Sequence, residues 1–132
     1  MADGGYEVLK RRSAWRRSAI TNEVKASGLR GRSAGFPTGV KWGFIPPTNT
    51  KPVYLICNAD ESESPALKTA CHRDPHQLIE GMTIACYAVG AKLAYIYIRE
   101  EFHKEPAIIV EKTSPEATRR VSSAKTITRQ RL

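Results

Sequence analysis

Hydrophobic positions concentrate in the middle of this chain and follow two different periods. Pro52-Val53-Tyr54-Leu55-Ile56-Cys57 is a short apolar run rich in β-formers that gives way to the polar Asn58-Ala59-Asp60-Glu61-Ser62-Glu63. That pattern predicts a buried strand over 53–57 whose C-terminal end opens into a loop. Asp74-Pro75-His76-Gln77 is a helix start, with Asp as capping acceptor, Pro at the first helical position and Gln at the third. Leu78, Met82, Ala85 and Val89 then recur along one helix face, and Gly90 is placed to end the helix. Lys92-Leu93-Ala94-Tyr95-Ile96-Tyr97-Ile98-Arg99 predicts a second strand over 93–98. Strand, helix, strand is a βαβ unit. Its strands are expected to be parallel neighbours or near neighbours, with helix 75–89 across one face and Met82 and Ala85 turned inward. The fold class is α/β, and ligands in such sheets bind beyond the C-terminal strand ends, here 58–63 and 99–102.

Upstream, residues 20–27 predict a short helix stopped by Gly28, and Pro37 is placed to begin another. Pro46-Pro47 and Thr48-Asn49-Thr50 form a loop before the first strand. From about Pro106 the pattern fades. Residues 113–132 offer Val121, Ile127 and Leu132 as their only large aliphatic side chains. Burying those returns less than ordering twenty residues costs, so this stretch is expected to be mobile. The resulting division is a basic N-terminal segment at 1–19, an α/β domain at 20–105, and a basic, disordered tail at 106–132.

A length of 132 residues suits one modest domain. The net charge of +8 is unevenly spread: +5 over residues 1–35, −1 over 36–102 and +4 over 103–132. Basic flanks can hold nucleic acid by counterion release, but no aromatic stacking platform accompanies them, and solvated helix faces or tails account for them equally. No apolar run approaches the roughly 20 residues of a membrane helix, and no basic-then-apolar leader opens the chain, so a cytoplasmic location is expected. Cysteines at 57, 71 and 86 match neither a zinc nor a disulfide pattern. Cys57 and Cys86 are read as small core residues. His72, His76 and His103 have no partner at a ligand spacing and are read as surface or capping residues.

Two segments carry candidate chemistry. In 28–41, Gly31, Gly35 and Gly39 allow backbone to approach a ligand, a helix beginning near Pro37 would offer N–H groups to a phosphate, and Lys41 adds a point charge. The spacing is neither a dinucleotide fingerprint nor a P-loop, and taken in isolation a glycine-rich connector with solvated arginines explains it better. In 58–63, an amide and several carboxylates stand at a strand's C-terminal end, suited to the edge of a flat heterocycle or to ribose hydroxyls, or else forming a solvated acidic turn. Phe36, Trp42 and Phe44 can stack on a planar ring or pack in a core.

These segments also carry a resemblance. Glu23-Val24-Lys25-Ala26-Ser27-Gly28-Leu29-Arg30-Gly31-Arg32 and Ala34-Gly35-Phe36-Pro37-Thr38-Gly39-Val40-Lys41-Trp42 closely resemble the glycine-rich flavin loop of the FMN/NADH-binding (51 kDa type) flavoprotein subunits of NADH:quinone oxidoreductase. Tyr54 to Glu63, Asp74 to Gly81, and Tyr95 to Arg99 resemble that family's next three motifs, in order, across about 21–103. The same segments recur in flavin subunits of NAD-linked hydrogenases and formate dehydrogenases. The resemblance implies a partial Rossmann-like FMN-binding domain containing one βαβ unit, with flexible basic ends. It also implies non-covalent FMN, NAD(H) as substrate, other peripheral-arm subunits as partners, and a place on the cytoplasmic face of the inner membrane. By motif match, Gly31, Arg32 and Lys41 lie along the FMN phosphate and ribityl chain. Asn58, Asp60 and Tyr97 edge the flavin, and Phe36, Phe44, Glu63 and Glu101 face the nicotinamide nucleotide.

Departures from the family fall where ligands would touch. The loop after Arg32 is one residue short, with Ser33 where glycine is expected, and Glu100 replaces a glycine between Arg99 and Glu101. The family's four-iron cluster motif does not occur in this sequence. The chain is therefore expected to be an incomplete piece of such a protein, inactive by itself and weak in FMN binding, with no catalytic or metal-ligating residues of its own. A non-catalytic remnant or subunit-interaction module and a small basic nucleic-acid-binding protein are the alternatives.

Overall fold

A computed structural model of the chain describes residues 6–7, 15–31, 35–46, 48–58, 74–97, 113 and 115. Its elements are helix α1 (Arg17–Ala26), helix α2 (Thr38–Trp42), strand β1 (Tyr54–Asn58), helix α3 (Pro75–Val89) and strand β2 (Leu93–Tyr97). β1 and β2 pair directly and in parallel, in the register Tyr54↔Leu93 to Asn58↔Tyr97. The expected βαβ unit is present and the fold class is α/β.

Local chemistry sets the ends of α3. Asp74 Oδ1 accepts from the Gln77 N–H at 3.1 Å, Pro75 occupies the first turn, and Gly90 closes the helix at φ 73°. The left-handed backbone at Gly90 lets the Ala91 N–H reach the Cys86 carbonyl at 2.9 Å, satisfying an otherwise orphaned acceptor. Ile79, Met82, Ala85, Cys86 and Ala88 are buried along α3, whereas Leu78 and Val89, expected on the same face, are only half-buried. Burial pushes the Cys86 thiol above its ordinary pKa, because the low-dielectric surroundings disfavour the thiolate. In the sheet, Leu55, Cys57, Ala94 and Ile96 are half-buried, while Tyr54, Ile56, Tyr95 and Tyr97 of the alternating set are exposed.

Helix α1 starts at Arg17, three residues before the expected Ile20, and ends at Ala26 with Gly28 at φ 69°. Helix α2 packs on it through a glycine. A Cβ at Gly39 would lie 2.6 Å from the Lys25 nitrogen and 2.9 Å from its Cα, so only a residue without a side chain admits this approach.

The N-terminal segment contributes to the core, which its composition did not suggest. Tyr6 is fully buried, its ring edge-on to His76 at 5.7 Å and its hydroxyl 2.9 Å from His76 Nδ1. The Tyr6 N–H donates to Glu80 Oε2 at 3.2 Å, and at the other end of α3 the Tyr87 hydroxyl donates to the Trp15 carbonyl at 2.8 Å. His76 is therefore a buried residue and not the surface or capping residue expected. Tyr6 holds φ at 68°, a conformation costing an L-residue about 1–2 kcal/mol, which full burial of its ring offsets. Thr113, at the head of the stretch expected to be mobile, is buried; apart from it and Pro115, that stretch lies outside the described residues. No helix among the described residues is long and apolar enough to cross a membrane.

Candidate functional site

The glycine-rich segment folds back on itself. The Thr38 N–H donates to the Leu29 carbonyl at 2.8 Å, Gly31 to Phe36 at 2.9 Å, and Gly35 to Gly31 at 2.9 Å, around an antiparallel bridge between Arg30 and Pro37. Gly35 sits at φ 62°, where a Cβ would clash with its own backbone. The Arg30 guanidinium reaches across to the Gly35 carbonyl at 2.9 Å. Arg30 thus closes the loop, a role that no pattern in the sequence distinguishes from a solvated arginine. Gly31, at the loop's base, is exposed, and its nearest prospective Cβ contact is an ordinary 3.7 Å. Arg32 lies outside the described residues.

Two features differ from expectation. α2 has five residues, with Pro37 as its N-cap and not its first helical residue. The Thr38 N–H is committed to the Leu29 carbonyl, the Lys41 N–H makes the helix's own first bond to Pro37, and so short a helix has little dipole. Gly39 serves the contact with α1. What α2 does supply is position: Lys41 is exposed in its last turn, and the chain leaving it brings Phe44 to Phe36, ring centroids 5.9 Å apart and tilted by 53°. Phe36 is 44 % and Phe44 66 % exposed. The pair is accordingly no part of a core and leaves aromatic surface open to a planar ligand.

The strand ends hold the second cluster. Asn58 ends β1, Tyr97 ends β2, and the two are register partners with exposed side chains. Two residues matched separately to flavin contacts, 39 positions apart in sequence, therefore stand side by side at the carboxyl edge of the sheet, where α/β folds take ligands. Asp60, Glu63 and Glu101 lie outside the described residues. The exposed amide of Asn58, the phenol of Tyr97, the Lys41 ammonium and the open Phe36–Phe44 pair suit a flat heterocycle bearing an anionic tail, so the described residues fit FMN in chemistry. Among the described residues no group of three His, Cys, Asp or Glu side chains could hold a metal ion.

The Nuo51 FMN-binding domain family matches residues 24–130. The chain belongs to that family. An NADH-quinone oxidoreductase subunit of Rhizobium meliloti (strain 1021) is 50% identical over 105 residues, covering 76% of this chain and 25% of that protein. The corresponding NADH-quinone oxidoreductase protein of Rickettsia massiliae (strain Mtu5) is 49% identical over 109 residues, covering 80% and 26%. Among solved structures, the NAD+-reducing [NiFe]-hydrogenase in its H2-reduced state aligns with a TM-score of 0.78 at 34% identity, over 94% of this chain and 22% of that one. The chain thus spans about a quarter of the length of the curated relatives it matches. The Nuo51 match runs well past His103, so the basic C-terminal stretch, which carries none of the four motifs, falls within the family's domain.

Proposed function

We propose that this chain forms the flavin-proximal part of an NADH-oxidising flavoprotein of the NADH-quinone oxidoreductase type. The observation that carries the reading is the register pairing of Asn58 with Tyr97 at the carboxyl edge of the sheet, in a chain of the Nuo51 FMN-binding family. Gly31, Arg32 and Lys41 run along the phosphate and ribityl chain of FMN, with Lys41 supplying the countercharge. Asn58, Asp60 and Tyr97 edge the isoalloxazine, where an amide can both donate to and accept from ring atoms. Phe36 and Phe44, with Glu63 and Glu101, face the nicotinamide nucleotide and orient it by stacking and by accepting from its hydroxyls. FMN, when bound, supplies the hydride-accepting ring that no side chain offers; this chain's part is orientation and electrostatics. Iron–sulfur clusters and quinone would be held outside this chain, in partner subunits of a peripheral arm on the cytoplasmic face of the inner membrane. A quinone reductase is supported by the relatives matched at about 50% identity, which are NADH-quinone oxidoreductase subunits. The chain alone does not turn over NADH.

Quenching of flavin fluorescence on titration with FMN tests this. Loss of the loop residue after Arg32 and the Glu100 carboxylate weaken the site, so half-saturation is expected above about 1 μM, equivalent to about −8 kcal/mol. Asn58→Ala lowers the affinity further, and Ser33→Gly combined with Glu100→Gly raises it. Sub-micromolar affinity in the wild type would refute the weakened site. No response to either set of substitutions would refute the flavin reading and favour a module that only binds partner subunits.

A further inference from the structure

At the N-terminal edge of the sheet, α1, the chain leaving α2, the loop entering β1 and the end of α3 border a half-open cavity of about 750 Å³. Its charged lining residues are Arg17, Lys25, Lys51 and Lys92, and among the described residues no Asp or Glu lines it. A volume of this size is typical of small-molecule sites, which lie within roughly 300–1,000 Å³. Four cations around one concavity, unrelieved by an acid, make a focused positive potential that draws in an anion.

The cations stand on fixed backbone. Arg17 lies at the C-terminal end of α3, where the last carbonyls favour a cation, and its guanidinium fills the space of the absent Gly90 side chain: a Cβ there would meet Nη1 at 2.6 Å. The Lys25 stem runs over Gly39, 2.7 Å from the position a Cβ would take, and its Nζ lies 3.4 Å from the corresponding point at Gly43. Asn49 clamps Lys51 by accepting its N–H and donating to its carbonyl, both at 3.1 Å. The Lys92 N–H donates to the Val53 carbonyl at 3.2 Å, tying it to the foot of β1. Trp42 lines the same cavity, an aromatic surface of the kind that stacks on a base.

We infer that this cavity is a second anion site, for a small molecule carrying two or more phosphates, of the nucleoside polyphosphate class. Spread phosphates match four cations arriving from three separate segments, α1 and the stretches entering β1 and β2, better than one phosphate does, and Trp42 gives a base somewhere to stack. The concave shape favours a small ligand over an acidic protein segment, which a flat basic stripe would suit. The site shares no residue with the candidate flavin contacts, so either can fail without the other.

Isothermal titration calorimetry of the full chain with inorganic tripolyphosphate and with ATP, against inorganic phosphate and an all-glutamate hexapeptide at equal ionic strength, tests the inference. Saturable one-to-one binding is expected for the two polyphosphates, at least about tenfold tighter than for inorganic phosphate. Lys51→Glu combined with Lys92→Glu, both on exposed positions, should weaken tripolyphosphate by about tenfold or more, as expected from losing charge-assisted bonds. The milder pair Lys51→Gln and Lys92→Gln gives an intermediate loss and covers the case in which charge reversal disturbs the fold. Asn58→Ala, an uncharged change at the far edge of the sheet in the candidate flavin site, should change FMN quenching and leave tripolyphosphate binding as it is. Absence of saturable polyphosphate binding would overturn the inference, as would indifference to both lysine pairs or tighter binding of the glutamate peptide.

Discussion

Gly39→Ala tests the packing that positions the candidate site. The added methyl would lie 2.6 Å from the Lys25 nitrogen, 2.7 Å from its Cγ and 2.9 Å from its Cα. Comfortable separations begin at about 3.5 Å, so roughly 0.9 Å of movement is needed. The Lys25 side chain can swing aside, but its backbone cannot, and α1 and α2 must separate. Overpacking of this kind costs about 1–3 kcal/mol, while alanine's better helix propensity returns at most about 1 kcal/mol. The net destabilisation is about 1–2 kcal/mol, a fall in Tm of roughly 3–10 °C for a chain of this size. Gly31→Ala is the control, since its methyl meets nothing nearer than 3.7 Å, and it should stay within about 0.5 kcal/mol of wild type. Thermal unfolding followed by circular dichroism measures both. A Gly39→Ala protein that melts with or above the wild type would show that α1 and α2 do not meet through this glycine.

Two further outcomes follow from the core. Tyr6→Phe removes a buried hydrogen bond to His76 and should cost about 0.5–1.5 kcal/mol, and Tyr6→Ala about 3–5 kcal/mol as an aromatic-sized cavity opens; unchanged urea midpoints in both variants would mean the N-terminal segment does not dock on α3. Burial raises the Cys86 thiol pKa above its ordinary 9.0, so iodoacetamide at pH 8 should label Cys86 slowly until denaturant is added, and rapid native labelling would contradict its burial. The sign for stability follows: the contribution from keeping this thiol protonated is complete below the unfolded value and is lost as pH rises through the higher folded one.

The sequence by itself determined the βαβ unit. Asp74, Pro75 and Gly90 are local devices whose effect on α3 needs no distant partner, and the short, β-rich apolar run before Asn58, bounded by polar loops, marks β1. It also determined the family, since the loop, acidic, helix-start and strand motifs keep their order and nearly their spacing. Tertiary structure alone decided the rest. Tyr6 and His76 are 70 residues apart, and nothing local to either marks it as buried; each becomes core only because the other is there. Gly39 looked like a ligand glycine because sequence shows that a Cβ is missing and not what occupies its place, which proved to be the backbone of Lys25. Arg30 and Arg32 are alike as letters, yet Arg30 is bound to the Gly35 carbonyl of its own loop. Arg17, Lys25, Lys51 and Lys92 are scattered through a sequence whose middle is nearly neutral, and charge counted along a chain cannot register that four elements meet at one cavity. Local order is written in short-range propensity and period, whereas the identity of a neighbour depends on how the whole chain closes on itself.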